Sequence, residues 1–186
     1  MSDGIKRQLD RLIEDTILIS QQQEQPLTIE FDPQWRSACY LQEAAEGELV
    51  SWQPVRQQGE CNFSQLEKAL DLELNPQFCD YFTRYFSNNL LAQAPEGYCE
   101  LLQVWNGDDF ERLQENLIGH VLMKRRLKQP VTLFFALTDE EDFMLSVENH
   151  SGNVVLEPVG KPASRVIAPS LSAFIASLKA VEQTRN

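Results

Sequence analysis

Two histidines and four cysteines are the side chains in this sequence most able to support acid–base, nucleophilic or zinc chemistry. A catalytic histidine needs a nucleophile or an acid within hydrogen-bond reach, and no motif supplies one for His120 or His150. The cysteines lie about twenty residues apart without a C-x-x-C pair, which fits neither a zinc knuckle nor a redox motif. They are Cys39, Cys61, Cys79 and Cys99. We therefore predict no catalytic residue and no cofactor, with reduced and mostly buried thiols.

Four adjacent carboxylates at 139–142 are the densest group of candidate cation ligands. They lack the alternation and the turn-forming glycine of a calcium loop, so a solvated hairpin tip is the favoured interpretation and no metal site is predicted. The P-loop, G-x-G-x-x-G, G-x-S-x-G and H-E-x-x-H motifs are all absent. We predict that the ring of His120 is structural, hydrogen-bonded at the edge of the core. The sequence thus favours a binding protein over an enzyme.

The charge of the chain points to the kind of partner it can bind. Its formal net charge is -12, and the stretch from Cys39 to Glu111 holds thirteen acidic and three basic residues. Such a field repels nucleic acid and anionic lipid and attracts basic protein surfaces, although high acidity also serves solubility alone. The basic residues cluster instead at 124–128. We predict one strongly negative face that steers a cationic partner.

Helical periodicity predicts five helices that would carry these charges. An amphipathic helix is expected over residues 3–20 and a long central helix over 106–128, with Asp108 and Glu111 as its D-x-x-E start. Glu67 occupies the capping-box position of a short helix that ends near residue 72. Two more helices are expected over 76–86 and 170–181, and Gly119 inside the long helix suggests close approach of a neighbouring element.

Alternating and short apolar runs predict strands between these helices. They are expected over 38–41, 49–55, 90–94, 98–105, 131–137, 143–148, 154–158 and 165–168. The order of elements predicts an α+β fold, a single domain spanning residues 1–186 with a largely antiparallel sheet and helices packed mainly on one side. The N-terminus lacks the apolar stretch of a signal peptide and no apolar run approaches twenty residues, so we expect a cytoplasmic protein.

Several segments resemble the Syd family of SecY-interacting proteins. They are W-N-G-D-D-F-E-R-L-Q-E-N-L-I-G-H-V-L from Trp105, K-R-R-L-K-Q-P-V-T-L-F-F after it, W-Q-P-V with G-E-C-N-F-S-Q-L-E-K-A-L-D, the S-G-N-V turn and the closing S-L-S-A-F-I-A-S-L-K helix. The resemblance implies a SUKH-type α+β fold. It also implies a regulatory or quality-control protein held peripherally on the cytoplasmic side of the inner membrane through SecY.

The resemblance and the charge together define a testable interface. The cytosolic loops of membrane proteins are enriched in Lys and Arg, so an acidic protein would be attracted to the channel and repelled by the lipid. We expect the partner-binding residues to be six acids in the family-like segments: Glu60, Glu67, Asp71, Asp108, Asp109 and Glu115. The alternative is an immunity protein, since related SUKH-type domains neutralise toxins and an acidic surface also suits a basic toxin.

Overall fold

A seven-stranded antiparallel sheet is the framework of the structure, a computed structural model that describes residues 2–183. The helices are α1 (Ser2–Gln22), α2 (Ser64–Leu70), α3 (Pro76–Thr83), α4 (Gly107–Arg126) and α5 (Leu171–Ser177). The strands are β1 (Thr28–Glu30), β2 (Leu49–Ser51), β3 (Val55–Arg56), β4 (Tyr85–Phe86), β5 (Leu90–Ala94), β6 (Gly97–Leu101), β7 (Thr132–Thr138), β8 (Phe143–Glu148), β9 (Val154–Pro158), β10 (Arg165–Ala168) and β11 (Lys179–Ala180).

The large sheet has the strand order β10-β9-β8-β7-β6-β5-β11, and every neighbouring pair is antiparallel. Short links join most neighbours, because β5–β6, β7–β8 and β8–β9 are hairpins. Two small antiparallel pairs, β1–β2 and β3–β4, lie outside this sheet. The predicted α+β class with a largely antiparallel sheet is confirmed.

The hydrophobic core forms where α1, α3 and α5 pack against one another and cover the sheet. A bulge in β7 between Phe134 and Ala136 adds one residue to the strand. Phe135 contacts the rings of Tyr81 on α3 and Phe174 on α5, each with centroids 5.6 Å away. Its neighbour Phe134 instead contacts His120 on α4, at 5.4 Å. Because successive side chains of a strand point to opposite faces, β7 contacts α4 on one face of the sheet and α3 and α5 on the other.

The structure corrects several predicted boundaries. The helix expected over 76–86 ends at Thr83, because Tyr85 and Phe86 pair with β3 as β4. The strand expected over 38–41 is reduced to a single bridge between Tyr40 and Trp52, and β1 was not predicted at all. The last helix ends at Ser177 and is followed by β11.

Two local predictions about helices are wrong. Glu67 does not complete a capping box, because α2 has Phe63 at its N-cap without a side-chain hydrogen bond; the Glu67 carboxylate instead accepts the Leu74 N–H at 2.9 Å. Gly119 is exposed, and a Cβ added there would meet no atom within 4 Å. Close packing therefore does not offset the cost of about 1 kcal/mol, relative to alanine, that glycine carries inside a helix.

Asp10 on α1 ties the first helix to the end of α3 and to the β3–β4 pair. Its carboxylate accepts hydrogen bonds from Arg84 (2.6 and 3.0 Å) and from the Tyr85 hydroxyl (2.7 Å), and Arg56 lies 3.1 Å away. Burial alone would raise the pKa of Asp10, but these hydrogen bonds and the two guanidinium charges outweigh burial and lower it. The ionised carboxylate is therefore the form that stabilises the fold.

Replacing Asp10 with asparagine is expected to lower the free energy of unfolding at neutral pH by about 1.5–3 kcal/mol, the usual value for hydrogen bonds to charged groups. Because the pKa is lowered by folding, the wild-type advantage is full above the ordinary Asp pKa of about 3.9 and shrinks as the pH falls below it. Urea unfolding from pH 7 down to pH 3 measures both effects. Asp15→Asn on the same helix, in an exposed pair with Arg11, is the control and should change little. Equal losses in both variants would contradict the assignment.

Candidate functional site

A groove lies between α4, the end of β6 and the segment 29–40, with a volume of about 380 Å³. We call it the α4 groove. The charged side chains that line it are three acids and one base: Glu30, Asp32, Asp109 and Arg112. Its walls are rich in aromatic rings: Trp35, Tyr40, Phe82, Trp105 and Phe134. Carboxylates beside aromatic faces form a surface suited to the cationic side chains of lysine and arginine.

The N-terminus of α4 fixes one wall of this groove. Asn106 is the N-cap, since its side-chain oxygen accepts the Asp109 N–H at 2.8 Å, while the Asp109 carboxylate accepts the Trp105 N–H at 2.8 Å. The helix therefore begins with an N-x-x-D start at 106–109, and the predicted D-x-x-E start at Asp108 and Glu111 is wrong. Asp108 and Asp109 lie in the first turn, where their charges complement the helix dipole.

The opposite wall is held to α4 by three hydrogen bonds between residues 35–37 and the two residues at the start of the helix, Trp105 and Asn106. Trp105 Nε1 donates to the Trp35 carbonyl at 3.1 Å, and Asn106 Nδ2 donates to the Arg36 carbonyl at 2.8 Å. The Ser37 hydroxyl donates to the Trp105 carbonyl at 2.6 Å. These bonds fix the segment that carries Trp35 beside the helix, so both walls of the groove are positioned before any partner binds.

Among residues 2–183, Arg112 is the single base that lines the groove, and its charge is already engaged. Its guanidinium lies 3.2 Å from the Asp109 carboxylate and 5.2 Å from the centroid of the Trp35 ring. The side chain shows how the groove holds a guanidinium, with a carboxylate at one edge and an aromatic face below. Glu30 and Asp32 remain as the acids across from it, so the lining of the groove has an excess of negative charge.

The exposed face of α4 extends this acidic surface along the helix. Residues 108, 111 and 115 recur at a spacing of three and four, so they share one face, and all three are exposed acids. The acidic stretch ends before Gly119, and exposed Leu122 and Arg126 follow on the same face. The acidic half of α4 is therefore the half that borders the groove.

The six predicted partner-binding acids divide between α4 and the neighbourhood of α2. Asp108, Asp109 and Glu115 lie on α4, and Asp109 lines the groove. Glu67 lies on α2, Glu60 lies in the loop before it and Asp71 is its C-cap. The two helices are neighbours: the rings of Phe63 and Phe110 are 4.8 Å apart, and Arg125 donates to the Leu70 carbonyl at 2.7 Å. The acids near α2 thus lie beside α4 but outside the groove.

Two acids of the groove, Glu30 and Asp32, were missed from the sequence. They flank buried Phe31 at the end of β1. They are brought beside α4 by the pairing of β1 with β2 and by the three hydrogen bonds described above. The alternation of polar and apolar residues over 28–32 was the local signal in the sequence for a strand here.

Behind α4 lies a buried polar cluster that the sequence concealed. Lys124 is fully buried and forms an ion pair with buried Glu157, and its ammonium also donates to Gln129 Oε1 and the Lys161 carbonyl, both at 2.9 Å. The Thr132 hydroxyl lies 2.8 and 2.9 Å from the two Glu157 oxygens. Lys124 belongs to the basic cluster at 124–128 in the sequence, but its charge is neutralised inside the protein.

His120 joins the edge of this cluster. Its Nε2 lies 2.9 Å from the Thr132 hydroxyl, as expected for a structural histidine at the core edge. Burial lowers the pKa of His120, and the Lys124 charge adds to this effect while Glu157 opposes it. The ring is thus held neutral by its surroundings. The residues that line the α4 groove do not include it.

Clustered carboxylates and cysteine thiols are the other side chains that could support chemistry. Among residues 2–183, no three side chains of His, Cys, Asp or Glu are grouped so that they could hold a metal ion. Asp139–Asp142 form the tip between β7 and β8. Three of the cysteine thiols are buried and Cys79 is half-buried; burial raises the pKa of Cys39 and Cys61 to about 11 and of Cys79 and Cys99 to about 12. The thiols therefore stay protonated at neutral pH.

No helix within the described part of the chain, residues 2–183, is both long enough and apolar enough to cross a bilayer.

Comparison with known proteins places this architecture in a family. The model of the Syd protein family (SUKH-2) matches residues 6–180. A protein named Protein Syd from Alteromonas mediterranea is 51% identical over 178 residues, which cover 96% of this chain and 97% of that protein. A second Protein Syd, from Pseudoalteromonas atlantica, is 41% identical with coverages of 94% and 95%. A third, from Colwellia psychrerythraea, is 44% identical with coverages of 81% and 80%.

Proposed function

The chain belongs to the Syd family, and on this premise we propose that it is a non-enzymatic regulatory protein that binds the basic cytosolic loops of the SecY channel. Binding places it on the cytoplasmic side of the inner membrane as a peripheral protein. The observation that carries this proposal is the acidic α4 groove, together with the exposed acids Asp108, Glu111 and Glu115 beside it.

The chemistry of the groove fits lysine and arginine side chains. Carboxylates accept charge-assisted hydrogen bonds from ammonium and guanidinium groups, and the aromatic walls offer cation–π contacts. Arg112 against Asp109 and Trp35 shows one such arrangement within the chain itself. A loop that carries several basic residues would engage the groove and the acidic half of α4 together. The acids near α2, including Glu60, Glu67 and Asp71, would add long-range attraction.

The same charge distribution selects the channel over the lipid. A net charge of -12 is repelled by the negative surface of the cytoplasmic leaflet and attracted by the Lys- and Arg-rich loops of a membrane protein. Reversible attachment through a protein partner then needs no apolar anchor.

Sedimentation with membrane vesicles tests this proposal. We expect the protein to sediment with liposomes that contain purified SecY complex and to remain in the supernatant with protein-free liposomes of the same anionic lipid. Equal sedimentation with both preparations would contradict a channel-specific role, because it would indicate binding to lipid. Absence of sedimentation with SecY liposomes would also reject the proposal and would turn attention to a soluble basic partner such as a toxin.

A further inference from the structure

A second cavity lies on the other side of the sheet from α4, between α5 and the ends of β5, β6 and β8–β10. Its volume is about 480 Å³, within the range of ligand-binding cavities. We call it the α5 pocket. Its apolar wall includes Ala94, Cys99, Leu145, Leu156, Ile167 and Phe174. None of its lining residues lines the α4 groove or is one of the six acids predicted to bind a partner.

The mouth of the α5 pocket carries more negative than positive charge. Glu96, Asp139 and Glu140 line it together with a single base, Arg165. The two terminal guanidinium nitrogens of Arg165 donate hydrogen bonds to the Glu96 carboxylate, Nη1 at 3.1 Å. The charge of Arg165 is already neutralised by Glu96. Among the described residues that line the mouth, no unpaired cation is left to attract an anionic ligand, and the carboxylates of Asp139 and Glu140 would repel it. The mouth is therefore complementary to a cationic ligand with an apolar part.

The strand at the mouth favours a polypeptide over a small molecule. Within residues 2–183, β10 ends the large sheet and is hydrogen-bonded in it to β9 alone. Arg165, Ile167 and Ala168 of this strand line the pocket, and its pairing with β9 has a register shift between Val166 and Ala168. An extended segment laid along the edge of a strand places every second side chain on the same face. A segment added to β10 would therefore direct alternate side chains towards the pocket.

We infer that the α5 pocket binds an apolar side chain of an extended, cationic polypeptide segment. The apolar side chain enters the cavity beside Ile167 and Phe174, and basic residues next to it face Asp139 and Glu140. This site is separate from the α4 groove and does not depend on SecY as the partner. It would give the protein a second anchor whose strength comes from apolar burial and not from charge alone.

A synthetic peptide and two matched alanines on α5 test this inference. Ala173 and Ala176 are both exposed on the helix, but only Ala173 lines the pocket. The probe is the capped peptide Lys-Lys-Val-Phe-Val-Lys-Lys, followed by methyl NMR of Leu145, Leu156 and Ile167. We expect the peptide to shift these methyl signals. Ala173→Leu, which fills the cavity, should weaken binding by about tenfold or more, whereas Ala176→Leu should bind as the wild type does.

Two further peptides separate the apolar and the charged contributions. Replacing the phenylalanine of the probe with serine should abolish the methyl shifts, and replacing its lysines with glutamates should weaken binding by about tenfold or more. The inference is overturned if the probe leaves the three methyl signals unmoved, if Ala173→Leu binds it as tightly as Ala176→Leu, or if the acidic peptide binds as well as the basic one. Because the probe contains no SecY sequence, the outcome does not depend on the proposed function.

Discussion

Lys124→Met is expected to lower the free energy of unfolding by about 3–5 kcal/mol, although this lysine lies in a basic stretch that looks like surface. Its ammonium group is buried against the carboxylate of Glu157. Removing one partner of a buried ion pair leaves the other charge without compensation in a medium of low polarity. The hydroxyl of Thr132 remains beside Glu157 but cannot neutralise it. Urea unfolding of the purified variant measures the loss.

Two controls separate the buried ion pair from a general effect of removing a base. Arg126→Met changes an exposed residue of the same helix and should shift stability by less than about 0.5 kcal/mol. The double variant Lys124→Met with Glu157→Leu should recover much of the loss, since apolar replacements of both partners remove the unpaired charge. A Lys124→Met protein as stable as the Arg126→Met protein would show that the ion pair is not buried as described.

Reversing three of the acids near the groove is expected to abolish SecY binding. Glu60, Glu67 and Asp109 each accept a hydrogen bond from a backbone N–H, so their reversal would also disturb local structure. The exposed acids Asp71, Asp108 and Glu115 form the cleaner set.

Single changes at Asp71, Asp108 or Glu115 to lysine should each weaken binding only modestly, because exposed charge pairs contribute about 0.2–1 kcal/mol. The triple change replaces attraction with repulsion across the whole surface and should reduce affinity by about a hundredfold or more. Affinity for SecY in lipid nanodiscs measures both.

A second triple variant keeps the change of net charge equal while altering a different surface. Glu14, Glu24 and Glu141 are exposed acids on α1, in the loop after it and at the β7–β8 tip. Their replacement by lysine should reduce binding far less than the reversal near α4. Equal losses in the two triple variants would show that only the total charge matters and that no particular face docks the channel.

Local patterns predicted much of the fold because the information for these elements is contained within each segment. The strand over 165–168 and the β8 and β9 strands have the predicted bounds, and the long helix extends over Gly107–Arg126. The elements that were missed or wrongly predicted are those that form only by pairing with a segment distant in sequence. β1 has three residues and forms only because β2, about twenty residues later, pairs with it. Tyr85 and Phe86 continue the helical spacing of the aromatic residues in α3, but they pair with β3 and so form a strand.

The candidate site was predicted in part for the same reason. Asp109 was chosen because it is an acid in a family-like segment, and the structure places it in the wall of a groove. Glu30 and Asp32, across the groove, reach it through tertiary contacts that no local pattern encodes. The burial of Lys124 was likewise not predictable from local pattern, because its partner, Glu157, lies more than thirty residues away in sequence.

The dependence of SecY affinity on salt tests most directly whether clustered carboxylates drive docking. Between about 0.1 and 1 M salt the Debye length falls from about 10 to about 3 Å, which screens attraction between exposed charges. We predict that affinity of the wild-type protein for SecY in nanodiscs of neutral lipid falls by about tenfold or more over this range. The triple variant near α4 should show weak affinity with little dependence on salt. A wild-type affinity that stays constant across the series would contradict docking through the acidic surface.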